Sequence, residues 1–191
     1  RMNPYIADIL SQPPVLRKAL KKYSTTLLEK IKLSEFDRII ISGMGSSYNA
    51  AYPSLIRLSS QATPVQLVNA AELLHSLHGM IGTRSLLWLN SQSGRSAELV
   101  HLLDRLETRH LGCILSFVND LSSPMAKRAD VCIPIHAGEE ATVSTKTYTN
   151  MLATNLLAAI QLSGGHVDAG IREMRATTDA MESYLAHWEN H

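Results

Sequence analysis

The sequence predicts a parallel, doubly wound α/β sheet of about five strands. Three observations predict it. Short apolar runs rich in Ile, Leu and Val recur at 38–42, 64–69, 85–90, 111–117 and 130–135. Strands that apolar suit a parallel sheet covered on both faces. Helical patterns at 46–60, 70–77, 96–109 and 122–128 fill the intervals, with short connections. Finally, two of the strand-to-helix turns are dense in hydroxyls, and in such folds ligands bind outside the carboxyl ends of the strands.

Taken in order, residues 4–11 read as a short helix. Pro13-Pro14 then opens an amphipathic helix through about Lys30, because proline is tolerated in a first helical turn. The strand–helix alternation follows. Ser96 is placed to cap the helix at 96–109 and Ser122 the one at 122–128, with Pro124 in its first turn. A further helix over 145–163 stops at Gly164-Gly165. Residues 167–190 read as one more helix, with Ile171, Met174, Met181, Tyr184 and Leu185 on a broad apolar side. It follows the last strand, so it either packs on a partner or leads into another part of a longer chain.

Bulk properties narrow the function classes. The 191 residues suffice for one α/β domain with extra helices. A formal net charge of +1 gives no electrostatic reason to bind nucleic acid or an anionic membrane. The basic run Arg17, Lys18, Lys21, Lys22 falls at helical spacing and reads as a solvated face. Cys113 and Cys132 lie in strand-like runs and read as buried free thiols of a cytoplasmic protein. No spacing of Cys or His matches a metal site. No apolar run is long enough to span a bilayer.

The chemistry concentrates in three turns. The first, Ser42-Gly43-Met44-Gly45-Ser46-Ser47-Tyr48, follows a strand; its glycines free the backbone and its serines open a helix. Tyr48 stands where a dinucleotide fingerprint would need its third glycine. The second holds Ser91, Gln92, Ser93, Gly94 and Ser96, more hydroxyls than one helix cap needs. Outward N–H groups, the helix dipole and hydroxyl donors make such a turn an anion seat. Arg95 is expected to point outward. The third runs from Gly138 to Thr149. In it Glu139 and Glu140 offer a general base or an acceptor for sugar hydroxyls, and Ser144 and Thr145 cap the next helix.

The three turns, in order and each after a strand, resemble the signatures of the SIS (sugar isomerase) domain family over about residues 15–165. The likeness is greatest to the first SIS domain in the isomerase half of glucosamine-6-phosphate synthase and to related two-domain phosphosugar isomerases and deglycases. The resemblance implies a flavodoxin-like five-stranded sheet and neither a metal nor an organic cofactor. It divides the chain into N-terminal helices (1–30), an SIS domain (31–165) and a C-terminal connector helix (166–191). It also implies a sugar phosphate held by Gly45, Ser46 and Ser47, by Ser91, Gln92, Ser93 and Ser96, and beside Ser144 and Thr145. Two of these positions are Ser where the synthase has Thr. The third turn is one residue shorter here. Glu72 falls where the family often places an acid, so the weak catalytic candidates are Glu72, Glu139 and Glu140.

The departures bear on activity. The stretch of the second SIS domain that supplies most of the isomerase chemistry has no counterpart in these 191 residues. His75, His78 and His136 read as surface residues. The expectation is therefore a sugar-phosphate-binding domain that pairs with a second SIS domain or with its own copy as a dimer. The alternatives are a sensor module of a regulator and a stand-alone isomerase completed by homo-oligomerisation.

Overall fold

The computed structural model describes residues 3–109, 112–141 and 143–190. Its chain order is α1 (Pro4–Leu10), α2 (Gln12–Lys22), β1 (Arg38–Gly43), α3 (Gly45–Ala50), α4 (Tyr52–Leu58), β2 (Val65–Asn69), α5 (Ala70–Glu72), β3 (Ser85–Asn90), α6 (Ala97–Leu106), β4 (Cys113–Val118), α7 (Pro124–Arg128), β5 (Val131–Pro134), α8 (Lys146–Leu162) and α9 (Val167–Leu185). The strands form one parallel sheet in the order β2-β1-β3-β4-β5. This is the five-stranded α/β fold expected.

Strand periodicity builds the core. Successive side chains point to opposite faces. Ile39, Ile41, Trp88, Leu115 and Phe117 pack with Ala50, Met151 and Ala158 on one face. Ile40, Leu87 and Leu89 pack with Leu99, Leu102, Leu106 and Met125 on the other. Trp88 stacks on Phe117 with ring centroids 4.9 Å apart. Its Nε1–H donates to Asn155 Oδ1 at 2.6 Å, which ties α8 to the middle of the sheet. A smaller cluster of Leu16, Leu20, Ala153, Leu157 and Val167 joins α2, α8 and α9, so α9 packs on this chain's own helices.

Several boundaries differ from the sequence reading. The helix opened by Pro13-Pro14 ends at Lys22 rather than near Lys30, and a single 3-10 turn, Thr25–Leu28, follows. The segment 46–60 divides at Ala51 just before Pro53, whose ring lacks the N–H a continuous helix would use. The segment 70–77 is a short α-turn that widens into a π-turn over Leu73–Leu77. Ser123, not Ser122, caps α7 by accepting from the Ala126 N–H at 3.3 Å; Ser122 instead donates to Asp120. The predicted strand start Leu111, and Thr142 in the third turn, lie outside the described residues. Cys113 is buried and Cys132 only partly so; both are free thiols. Burial raises both thiols, Cys113 to about 11. Among the described residues no helix is long and apolar enough to cross a membrane.

Candidate functional site

Register decides where the turns meet. Gly43 pairs with both Asn69 and Asn90, and Asn90 with Phe117, so the strands end level along one edge. The connection from β1 runs to β2 on one side, while β3 adds on the other. That reversal opens a crevice between the ends of β1 and β3. The two hydroxyl-rich turns are the ones that leave β1 and β3, so the topology brings them together.

The crevice has a volume of about 250 Å³ and is lined by Ser46, Ser47, Gln92, Ser93, Ser96, Glu140, Ser144 and Thr147. Gly45 begins α3 with φ +52°, a left-handed conformation that glycine adopts without strain. Ser91 is buried beneath the lining, and its Oγ lies 2.8 Å from Ser96 Oγ. Ser96 thus occupies the N-cap position of α6, but its hydroxyl turns to Ser91 instead of capping the helix. Gly94 (φ +63°) seats the turn: a Cβ there would come within 2.0 Å of Ser123 Oγ. Ser93 Oγ accepts from the Arg95 N–H at 3.2 Å. Arg95 turns away to Asp120 at 2.9 Å, as expected of a residue not needed in the crevice.

The third turn carries the feature that sequence reading did not anticipate. Thr145 holds the N-cap position of α8, yet a carboxylate does the capping. Glu140 Oε1 accepts from the Thr145 N–H and Oγ1–H, each at 2.6 Å, and from the Thr147 N–H at 3.3 Å. Glu140 Oε2 accepts from Thr147 Oγ1–H. Thr147 in turn lies 2.7 Å from Ser144 Oγ. Burial pushes the Glu140 carboxyl up, but the hydrogen bonds from Thr145 and Thr147 outweigh it and hold the group below its ordinary value. An acid held that firmly ionised is a ready acceptor and a weak base. Glu139 and Glu72 are exposed and do not line the crevice.

The turn is braced from both sides. Asn119, just past β4, donates to Gly138 O at 2.7 Å and accepts from the Ala137 N–H at 2.9 Å. On α1, Asp8 accepts from the Ala141 N–H and from Lys146 Nζ, both at 2.8 Å. That ion pair is largely buried, with 10% and 12% of its side chains exposed. The Lys146 hydrogen bond, then that of Ala141, holds the Asp8 carboxyl below its ordinary value. His136 sits at φ +53°, unusual for a non-glycine residue. Thr147, Asn119 and Asp8 were missed from sequence. The hydroxyl of Thr147 in a first helical turn was a signal for the first; nothing local marks Asp8, 133 residues from Ala141. His75 is exposed, and His78 Nδ1 lies 3.2 Å from Arg105. Among the described residues no group of three or more His, Cys, Asp or Glu is arranged to hold a metal ion.

Comparison with known proteins supplies the family. The model of the SIS domain family matches residues 32–161, which is more than half of the chain. The chain belongs to the SIS domain family. It is similar to the isomerizing glutamine–fructose-6-phosphate aminotransferases of Chlamydia caviae (31% identity over 180 residues) and Halalkalibacterium halodurans (33% over 192). These alignments cover 90% and 93% of this chain but only 29% and 32% of the relatives, so the chain spans less than a third of their length. Among solved structures, the C-terminal domain of glucosamine-fructose-6-phosphate aminotransferase from Francisella tularensis shares the fold, with a TM-score of 0.72 and 20% identity. That likeness covers 97% of this chain and 55% of the other.

Proposed function

We propose that this SIS domain binds a sugar phosphate. It would serve as the binding half of a phosphosugar isomerase of aminotransferase- or deglycase-like kind, acting on a hexose 6-phosphate or its amino derivative. The observation that carries this reading is the meeting of two hydroxyl-rich turns at the strand reversal between β1 and β3. The phosphate rests on Ser47, Ser91, Gln92, Ser93 and Ser96, with Gly45 and Ser46 opening α3 beside it. These are neutral donors at helix starts, which suit an anion that must also be released. Ser144 and Thr145 shape the sugar end. The fructose 6-phosphate in the names of the sequence relatives supports the same class of ligand.

Proton transfer between sugar carbons is assigned to an acid from a second SIS domain or a neighbouring copy. Glu72 and Glu139 do not reach the crevice lining, and Glu140 is spoken for by α8. An apolar groove along α2, α8 and α9, lined by Leu16, Leu152, Leu156, Met174 and Met181 among others, supports such pairing.

A thermal-shift titration with fructose 6-phosphate, glucosamine 6-phosphate and inorganic phosphate tests the reading. Ligand at about 100 times Kd stabilises the fold by ~2.7 kcal/mol. For a chain this size that is a shift of roughly 5–10 °C. The shift with a sugar phosphate is expected to vanish in Ser91→Ala/Ser93→Ala. A shift that survives the double variant would remove the phosphate from the second turn.

A further inference from the structure

Around the crevice, the described lining residues carry one formal charge, and it is negative. Ser46, Ser47, Gln92, Ser93, Ser96, Ser144 and Thr147 are neutral, while Glu140 is a carboxylate. The basic residues within the second and third turns are paired away from it, Arg95 with Asp120 and Lys146 with Asp8. A cleft read as an anion seat therefore has a fixed anion in its own wall. The carboxylate is also immobile. Four hydrogen bonds from Thr145 and Thr147 hold it on the N-terminus of a 17-residue helix. Asp8 pins the adjacent Ala141 N–H, and Asn119 pins the stretch Ala137–Gly138.

We infer that Glu140 is a specificity-determining charge that admits singly phosphorylated sugars and turns away sugars with a second phosphate. The inference rests on the sugar-phosphate reading above and adds a selection rule to it. The donors of the first two turns take one phosphate. The rest of the ligand then extends past Glu140. There a hydroxyl or an ammonium group donates to the carboxylate, and a second phosphate meets a like charge in a partly dehydrated wall. A fixed charge cannot swing aside as an exposed glutamate would. Its attraction to the α8 N-terminus keeps it in place whatever enters. Like charges brought together across an interface discriminate strongly, so the rule follows from position without any added residue.

Calorimetric titration of the protein with fructose 6-phosphate and with fructose 1,6-bisphosphate tests this. The wild-type protein is expected to favour the monophosphate by about tenfold or more. Glu140→Gln, which keeps the shape and an acceptor oxygen, is expected to bring the two affinities within about threefold. A purely structural cap would lower both affinities together and leave their ratio unchanged, which overturns the inference. Should Glu140→Gln fail to fold, the wild-type protein decides. A preference made by charge narrows as ionic strength rises from about 0.05 to 0.5 M. One made by shape stays constant and overturns the inference. Equal wild-type affinities overturn it while leaving the sugar-phosphate reading intact. Binding of neither ligand removes both.

Discussion

Gly94 carries more of the site than its size implies. It holds φ +63°, accepts the Met125 N–H at its carbonyl, and lies so close to Ser123 that a methyl group would sit on the hydroxyl that caps α7. Gly94→Ala therefore combines backbone strain with the displacement of a cap. Each costs about 1–2 kcal/mol, so we expect a loss of roughly 2–4 kcal/mol in urea unfolding, with weakened sugar-phosphate affinity. Ser96 shows the same dependence on position. Its place before α6 was legible as a capping serine, but its hydroxyl faces Ser91 across the turn. Glu140 was legible as an acid near a ligand, though not as the group that satisfies the N–H groups of α8.

At the scale of elements, α8 organises the site. It begins under the third turn, carries Thr147 into the crevice, and reaches the sheet through Asn155. Asn155 accepts from buried Trp88 Nε1–H and donates to Met151 O at 2.9 Å. Asn155→Leu replaces the amide with an apolar group and strands a buried indole N–H. We expect a cost of about 1–3 kcal/mol in chemical denaturation. Asn155→Leu together with Trp88→Phe removes the stranded N–H and should recover the hydrogen-bonding part of that cost, leaving the cost of the smaller ring in the core. The N-terminal α1 acts on the same helix from outside. Through Asp8 it fixes both Ala141 and Lys146, so α1 braces the third turn of the candidate site.

Across the whole molecule, the shifted carboxyl groups agree in sign. The Asp8 carboxyl is held down by Lys146 and Ala141, and that of Asp120 by the Ser122 hydroxyl and N–H and then Arg95. Glu140 is held down by Thr145 and Thr147 against its burial. A carboxyl depressed in the folded state contributes stability that is fully present above its unfolded value. That stability is lost as pH falls through the folded value. His136 acts in the same direction: burial first, then Lys22 and Lys18, lowers it, so the unfolded chain takes up that proton earlier on acidification. The urea midpoint is expected to fall gently below about pH 6.5 and steeply below about pH 4. In Asp8→Asn the steep limb should be shallower and the neutral-pH midpoint lower. A midpoint that rises on acidification would contradict the assigned shifts.

The sequence by itself determined the fold class, the strands and the identity of most of the candidate site. Apolar runs such as Ile39-Ile40-Ile41 are satisfied by a sheet covered on both faces, and that information is local. The hydroxyl-rich turns were likewise complete within a few residues. Only the tertiary structure decided which turns meet. The order β2-β1-β3-β4-β5 sets Ser46 and Ser47 beside Gln92 and Ser93, and no local pattern encodes strand order. It also decided where a local helical pattern changes form, as in the π-turn at Leu73–Leu77. Asp8 and Asn119 found their roles through hydrogen bonds to backbone far along the chain, where side-chain identity leaves no trace on the receiving residue. The physical reason is one of range. Periodicity and turn chemistry act over a few residues, whereas the site is assembled from donors and acceptors that only the closed sheet brings within hydrogen-bonding distance.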